Sequence, residues 1–238
     1  MIGWILATVA AFFVKGLCGF ANTPVFTSVL SLSNINNVDI SPVDLMIGYP
    51  ANIVMALRER RSIRWRVCLP LILLVLAGSI PGVLFLKNAD TRLIRVIFGC
   101  VVILVAIEMM LRLLLPGKLK ENKGMLFLIG ILSGVLCGLY GIGALLSGYI
   151  GRVSEDTHAF KANICMVFLA ENTFRIITYA VTGILTWAAL KQATCLLPFM
   201  LAGMGLGMLA AKKIPETPVK ILVIVMLAVS GVMLIVNH

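Results

Sequence analysis

Two basic residues, Lys15 and Arg175, sit inside long apolar stretches of the chain. At mid-membrane such a charge costs about 2.5 to 3.5 kcal/mol on insertion scales, so a partner or a substrate normally offsets it. Glu171 and Asn172 lie four and three residues before Arg175, on the same face of a helix. The group reads in two ways. It is either a structural Glu171–Arg175 ion pair or a planar guanidinium fork presented to an oxyanion, with Glu171 orienting it or carrying a coupling proton. Lys15 has a bland reading too, as a lysine that snorkels from the end of its segment.

Asn52 and Asn172 can each offer two donors and an acceptor to a polar guest without burying a charge, or can hydrogen-bond between helices. Asn22 is a candidate contact at the start of a short helix, or simply its N-cap. Two glycine-rich breaks, Gly16-Leu17-Cys18-Gly19-Phe20 and Gly138-Leu139-Tyr140-Gly141-Ile142, interrupt the apolar pattern, and Gly143 follows the second. Glycines there let the backbone turn and approach a ligand closely. The candidate substrate contacts are therefore Lys15, Gly16, Gly19, Asn22, Asn52, Gly138, Gly141, Gly143, Asn172 and Arg175, with Glu171 as a coupling candidate.

No serine, histidine and acid fall into a hydrolytic motif, and His158 with Glu155 and Asp156 has no catalytic partner, so no catalytic residue is assigned. Glu108 and Arg112 read as an ordinary pair one turn apart. The cysteines at 18, 68, 100, 137, 165 and 195 form no CxxC pair and no cluster at metal spacing. They read as small packing residues, with no metal and no cofactor expected.

What positions these residues is a membrane. Of 238 residues, 61% are hydrophobic and 13% charged, and the mean hydropathy is +1.07, too apolar for a water-soluble domain. The net charge of +10 is carried by short loops, as the positive-inside rule expects, and nucleic acid is not an expected partner. The first segment has no basic residue before Lys15 and no cleavage pattern, so it reads as part of the mature protein. Apolar segments fall at about 1–17, 22–32, 42–58, 66–86, 92–112, 124–139, 142–151, 160–182, 189–210 and 218–236. Those at 22–32 and 142–151 are too short to span and follow the glycine breaks.

The spacing from Gly16 to Trp65 equals that from Gly138 to Trp187, 49 residues in each case, with Asn52 and Asn172 between. The chain thus reads as a tandem repeat with an offset of 122: residues 1–115, a hydrophilic cytoplasmic linker at 116–123, and residues 124–238. Counting Lys and Arg decides the orientation. Straight crossings put 10 of these residues on one side and 8 on the other, whereas re-entrant hairpins at the two breaks give 14 cytoplasmic against 4 outside. The fold class that follows is an all-α polytopic membrane protein of two inverted repeats, each a glycine-broken re-entrant hairpin plus three transmembrane helices. It has six spans in all, and both termini lie outside. Broken helices at membrane depth imply a cavity, and half-helix N-termini pointing into it would attract an anion.

The paired breaks, Gly16 to Phe20 and Gly134 to Gly143, the segment Gly48-Tyr49-Pro50-Ala51-Asn52, and the Asn-then-Trp order in both halves together resemble the TauE/SafE sulfite exporter family over essentially the whole chain. The resemblance implies a secondary transporter of small anions such as sulfite, sulfoacetate, related organosulfonates or carboxylates, in the bacterial inner membrane. Family members usually carry richer glycine runs where this chain has Gly19-Phe20-Ala21-Asn22, which leaves the substrate open. A membrane-embedded enzyme or accessory subunit handling a sulfur or lipid-linked substrate, and an anion channel, are the alternatives. Expected partners are a small anion, the bilayer, a coupling proton and a second copy of the chain.

Overall fold

The computed structural model describes residues 1–31, 37–88, 123–140, 143–154 and 156–213, with scattered positions in 96–114 and 217–235. The described residues form eight helices and no strand. They are α1 (Ile2–Cys18), α2 (Asn22–Ser31), α3 (Asn37–Arg58), α4 (Trp65–Asn88), α5 (Lys123–Tyr140), α6 (Ala144–Val153), α7 (Thr157–Thr182) and α8 (Trp187–Ala210). A single turn of tighter helix, Arg60–Ser62, follows α3. Most of the expected linker, the segment at 92–112 with Glu108 and Arg112, Gly141, Glu155 and much of 218–236 lie outside the described residues.

Helix boundaries repeat at the spacing read from the sequence. The start of α2 at residue 22 plus 122 is the start of α6 at 144, and the start of α4 at 65 plus 122 is that of α8 at 187. The lengths agree as well, at 10 residues for α2 and α6 and 24 for α4 and α8. Contacts follow the same exchange: α1 packs along α8 as α5 packs along α4, and α3 touches α8 as α7 touches α4. The central pair is α3 and α7, which run antiparallel. Ser41 near the start of α3 meets Tyr179 near the end of α7, while Glu59 just past α3 meets His158 at the start of α7.

Lipid cannot drive helices together by hydrophobicity, so close backbone packing must. Gly16 of α1 lies against α8 so closely that a Cβ there would stand 2.5 Å from the Met204 carbonyl, and Gly203 and Gly207, one turn apart, face Val9 and Phe13 in return. In the second half Gly130, Gly134 and Gly138 recur every four residues and rest on Leu74, Val75 and Ser79 of α4. The Ser79 hydroxyl donates to the Gly134 carbonyl at 3.1 Å across this seam. Among the described residues four helices, α3, α4, α7 and α8, contain stretches long and apolar enough to cross a membrane. Large apolar side chains such as Leu73, Val181 and Leu209 are exposed on the bundle, and Trp65 and Trp187 stand exposed at the starts of α4 and α8, where amphipathic rings suit a membrane interface.

Candidate functional site

The first break reverses the chain in three residues. The Gly19 amide caps α1 by donating to the Lys15 carbonyl at 2.7 Å, and its φ of 87° is a conformation that favours glycine. Ala21 follows at φ 70°, where a Cβ costs about 1 to 2 kcal/mol. Two left-handed residues so close together turn α2 back beside α1 and set its first turn, Asn22 to Pro24, against a cavity. Proline at the third position loses nothing, because the first amides of a helix lack intrahelical acceptors.

That cavity lies inside the bundle and is lined from four directions: by Phe20 to Pro24 of the break and α2, by Asp44, Leu45, Gly48 and Asn52 of α3, by Gly143 capping α6, and by Phe168, Asn172 and Arg175 of α7. The α3 residues at 44, 48 and 52 form one stripe a turn apart, as do those at 168, 172 and 175 on α7. About 30 Å³ is open to the centres of water-sized molecules, which is room for roughly two waters. A Cβ at Gly143 would run into the Phe168 ring unless that ring shifted.

Polar groups around the cavity are tied into two chains. In the first, Lys15 Nζ donates to Asn22 Oδ1 at 2.9 Å, Asn22 Nδ2 donates to Asp44 Oδ1 at 3.1 Å, and Thr23 Oγ1 donates to Asp44 Oδ2 at 2.5 Å. These contacts fix the Asn22 amide, because the opposite orientation would put its NH2 against the ammonium. In the second, Arg175 Nη2 donates to Ser41 Oγ at 2.9 Å and to Tyr179 Oη at 3.2 Å, and its guanidinium lies 5.1 Å from the centre of the Tyr179 ring. Arg175 Nε faces Glu171 Oε1 at 3.8 Å, an ion pair but longer than a hydrogen bond, and neither atom has a hydrogen-bond partner. Asn52 Oδ1 is also buried without one. A buried polar group in that condition loses its hydration uncompensated, and of these three atoms Arg175 Nε is the donor that an anion would satisfy.

Of the residues singled out in the sequence, Asn22, Asn52, Gly143, Asn172 and Arg175 line the cavity together. Lys15 stands one hydrogen bond behind Asn22, Glu171 stands behind Arg175, and Gly19 shapes the reversal. Gly16 and Gly138 instead meet backbone of α8 and α4, away from the cavity lining, and Gly141 lies outside the described residues. Asp44 and Thr23 on the lining, and Ser41 and Tyr179 behind it, escaped the sequence reading, and Gly48, part of the segment that carries the family resemblance, also proves to be on the lining. A signal for Asp44 existed, an acid within the apolar 42–58 segment and two turns before Asn52.

A cage of this kind, with two half-helix N-termini, three carboxamides and a guanidinium converging inside a membrane bundle, suits a small oxyanion. The family model for sulfite exporter TauE/SafE matches residues 4–234. The chain belongs to the TauE/SafE sulfite exporter family. Among curated proteins and solved structures nothing matches significantly. As a TauE/SafE protein it is a membrane protein of a transporter family.

A second concavity opens beside the first break, lined by Gly16 to Cys18, Arg58, Glu59, His158, Lys161, Met208 and Lys212 among others, and offers about 350 Å³. His158 Nδ1 lies 2.9 Å from Glu59 Oε2 and Arg58 Nη1 donates to Met208 Sδ at 2.7 Å, which brings the basic ends of α3, α7 and α8 to one face of the bundle. Phe20, on the lining of the polar cavity, packs edge-on against Phe160, ring centres 5.6 Å apart.

Proposed function

We propose that this TauE/SafE protein is a multi-pass secondary transporter that carries small oxyanions, sulfite or a small organosulfonate such as sulfoacetate, or a related carboxylate, across the bacterial inner membrane. The observation that carries the reading is the convergence on one buried cavity of the α2 and α6 N-termini with Asn52, Asn172 and Arg175. Arg175 supplies charge and a planar donor face, the asparagines supply donors without further charge, and Glu171 orients the guanidinium. Lys15 acts through Asn22. The narrowness of the cavity favours a small cargo, and larger sulfonates require it to widen.

The two halves are read as inverted repeats that rock against one another. Support comes from α3 and α7, which occupy corresponding places at the 122-residue offset yet run antiparallel, and from the gathering of Arg58, Lys161 and Lys212 on one face. That gathering agrees with the charge tally for re-entrant hairpins and conflicts with that for straight crossings.

The test is uptake of labelled sulfite, sulfoacetate and malonate into proteoliposomes. Saturable uptake of a sulfur anion is expected, with Asn52→Leu raising the KM by about tenfold, the loss of one good polar contact. Flux that grows linearly with concentration contradicts a carrier and indicates a channel, and absence of flux for all three indicates an enzyme or accessory subunit.

A further inference from the structure

Among the described residues four charged side chains are buried in the bundle, Lys15, Asp44, Glu171 and Arg175, none more than 4% exposed. Formally they balance, two cations against two carboxylates, before any cargo arrives. The carboxylates differ in setting. Glu171 faces Arg175 and is not part of the cavity lining, so its charge is matched within its own helix. Asp44 lines the cavity itself, directly beside the α2 N-terminus and the carboxamides that would hold an anion. An anion and an ionised carboxylate cannot share so small and buried a space without strong repulsion, because little water fits between them.

The geometry points to Asp44 as the proton-coupling residue of the transport cycle. This rests on the anion-transport reading above. Asp44 takes up one proton from water on the side where the anion is loaded and returns it to water on the side of release, so one proton and one anion move together. The O–H bond forms on a carboxylate oxygen and breaks at release, and nothing is oxidised or reduced. In the anion-free state Asn22 Nδ2 and Thr23 Oγ1 both donate to this carboxylate. Once protonated, Asp44 is a weaker acceptor and itself a donor, and those two groups become available to the cargo. The charged and titratable groups facing Asp44 are Lys15 of α1 through Asn22, and Arg175 of α7 with Glu171 and Tyr179 behind it. α8 packs on α3 but adds nothing to the lining.

The experiment follows labelled sulfoacetate uptake into proteoliposomes clamped at zero membrane potential, with the outside at about pH 6 and the inside at about pH 8, a range where the cargo keeps one charge state. The readout is the ratio of initial rates before and after the gradient is collapsed. We expect a ratio of about ten for the wild type, as proton uptake is linked to binding. In Asp44→Asn we expect altered but measurable flux with a ratio of one, whereas Glu171→Gln keeps a ratio above one. A wild-type ratio of one with saturable flux overturns the inference while leaving the transport reading intact, and so does an Asp44→Asn ratio equal to the wild type. If Asp44→Asn carries no flux, Asp44→Glu decides: a shifted pH midpoint for the gradient effect supports Asp44, and an unchanged midpoint overturns it. Failure of the wild type to move any anion removes the transport reading together with the inference.

Discussion

At the scale of single residues, Arg175 carries the sharpest energetic statement. Its guanidinium is held on three sides by Ser41, Tyr179 and Glu171, and both it and Glu171 are almost fully buried. Removing one member of such a pair leaves an uncompensated charge and costs about 3 to 5 kcal/mol. Arg175→Ala alone is therefore expected to lower the melting temperature in detergent and the yield of folded protein. The double variant Arg175→Ala, Glu171→Gln recovers most of that stability, yet anion flux stays abolished. Recovery of flux with stability would make the pair structural only. Lys15 and Asp44 couple in the same manner through Asn22, so Lys15→Met and Asp44→Asn are expected to destabilise less together than the sum of each alone, by about 1 to 3 kcal/mol in a double-mutant cycle of detergent melts.

Reading the sequence one residue at a time found Arg175, Glu171, Asn52 and Asn172, because each is polar where its neighbours are not. Asp44 satisfies the same criterion and was passed over for a physical reason. Its partners are not a helical turn away but 21 and 22 residues back on α2, at Thr23 and Asn22. Such pairing exists only after the first break has folded α2 against α3. Tyr179 stands one turn after Arg175 on α7, but Ser41 is an ordinary residue in its own segment, and only the antiparallel contact of α3 with α7 brings it to Arg175.

At the scale of elements, glycine has two uses that look alike in sequence. Gly19 and Gly143 shape the cavity, one through a positive φ and the other by leaving space for Phe168. Gly16, Gly134, Gly138 and Gly207 let helices touch backbone to backbone. A glycine reveals that something approaches closely without naming what approaches. Gly207→Leu places a Cβ on the Phe13 carbonyl and is expected to cost at least about 3 kcal/mol, seen as loss of the monodisperse peak in fluorescence-detected chromatography. Gly143→Ala is expected to leave folded yield within about twofold, because the Phe168 ring can move, and to lower flux by pushing that ring into the cavity. Flux equal to the wild type in Gly143→Ala would separate α6 from the site.

At the scale of the whole molecule, the all-helical membrane character and the two breaks were legible before any coordinates, since apolar runs and glycine clusters are properties of the chain itself, and the 122-residue offset of the helix starts matches the spacing in the sequence. The packing of the halves was not, except through the distribution of Lys and Arg. The contacts of Glu59 with His158 and of Arg58 with Met208 now give a direct way to check it. In a chain whose native cysteines are replaced, Arg61→Cys and Lys212→Cys are expected to react with a membrane-impermeant maleimide from the same side, and Thr182→Cys from the other. Opposite accessibility of Arg61→Cys and Lys212→Cys would contradict the inverted arrangement.

The central claim, that one buried cavity binds an anion and opens alternately to the two sides, is tested most directly by counterflow. Vesicles loaded with unlabelled sulfite or sulfoacetate and diluted into a trace of the labelled anion should accumulate label transiently above equilibrium, and Arg175→Ala, Glu171→Gln should abolish this overshoot. Label that rises to equilibrium without overshoot, or an overshoot that survives the double variant, would contradict the account.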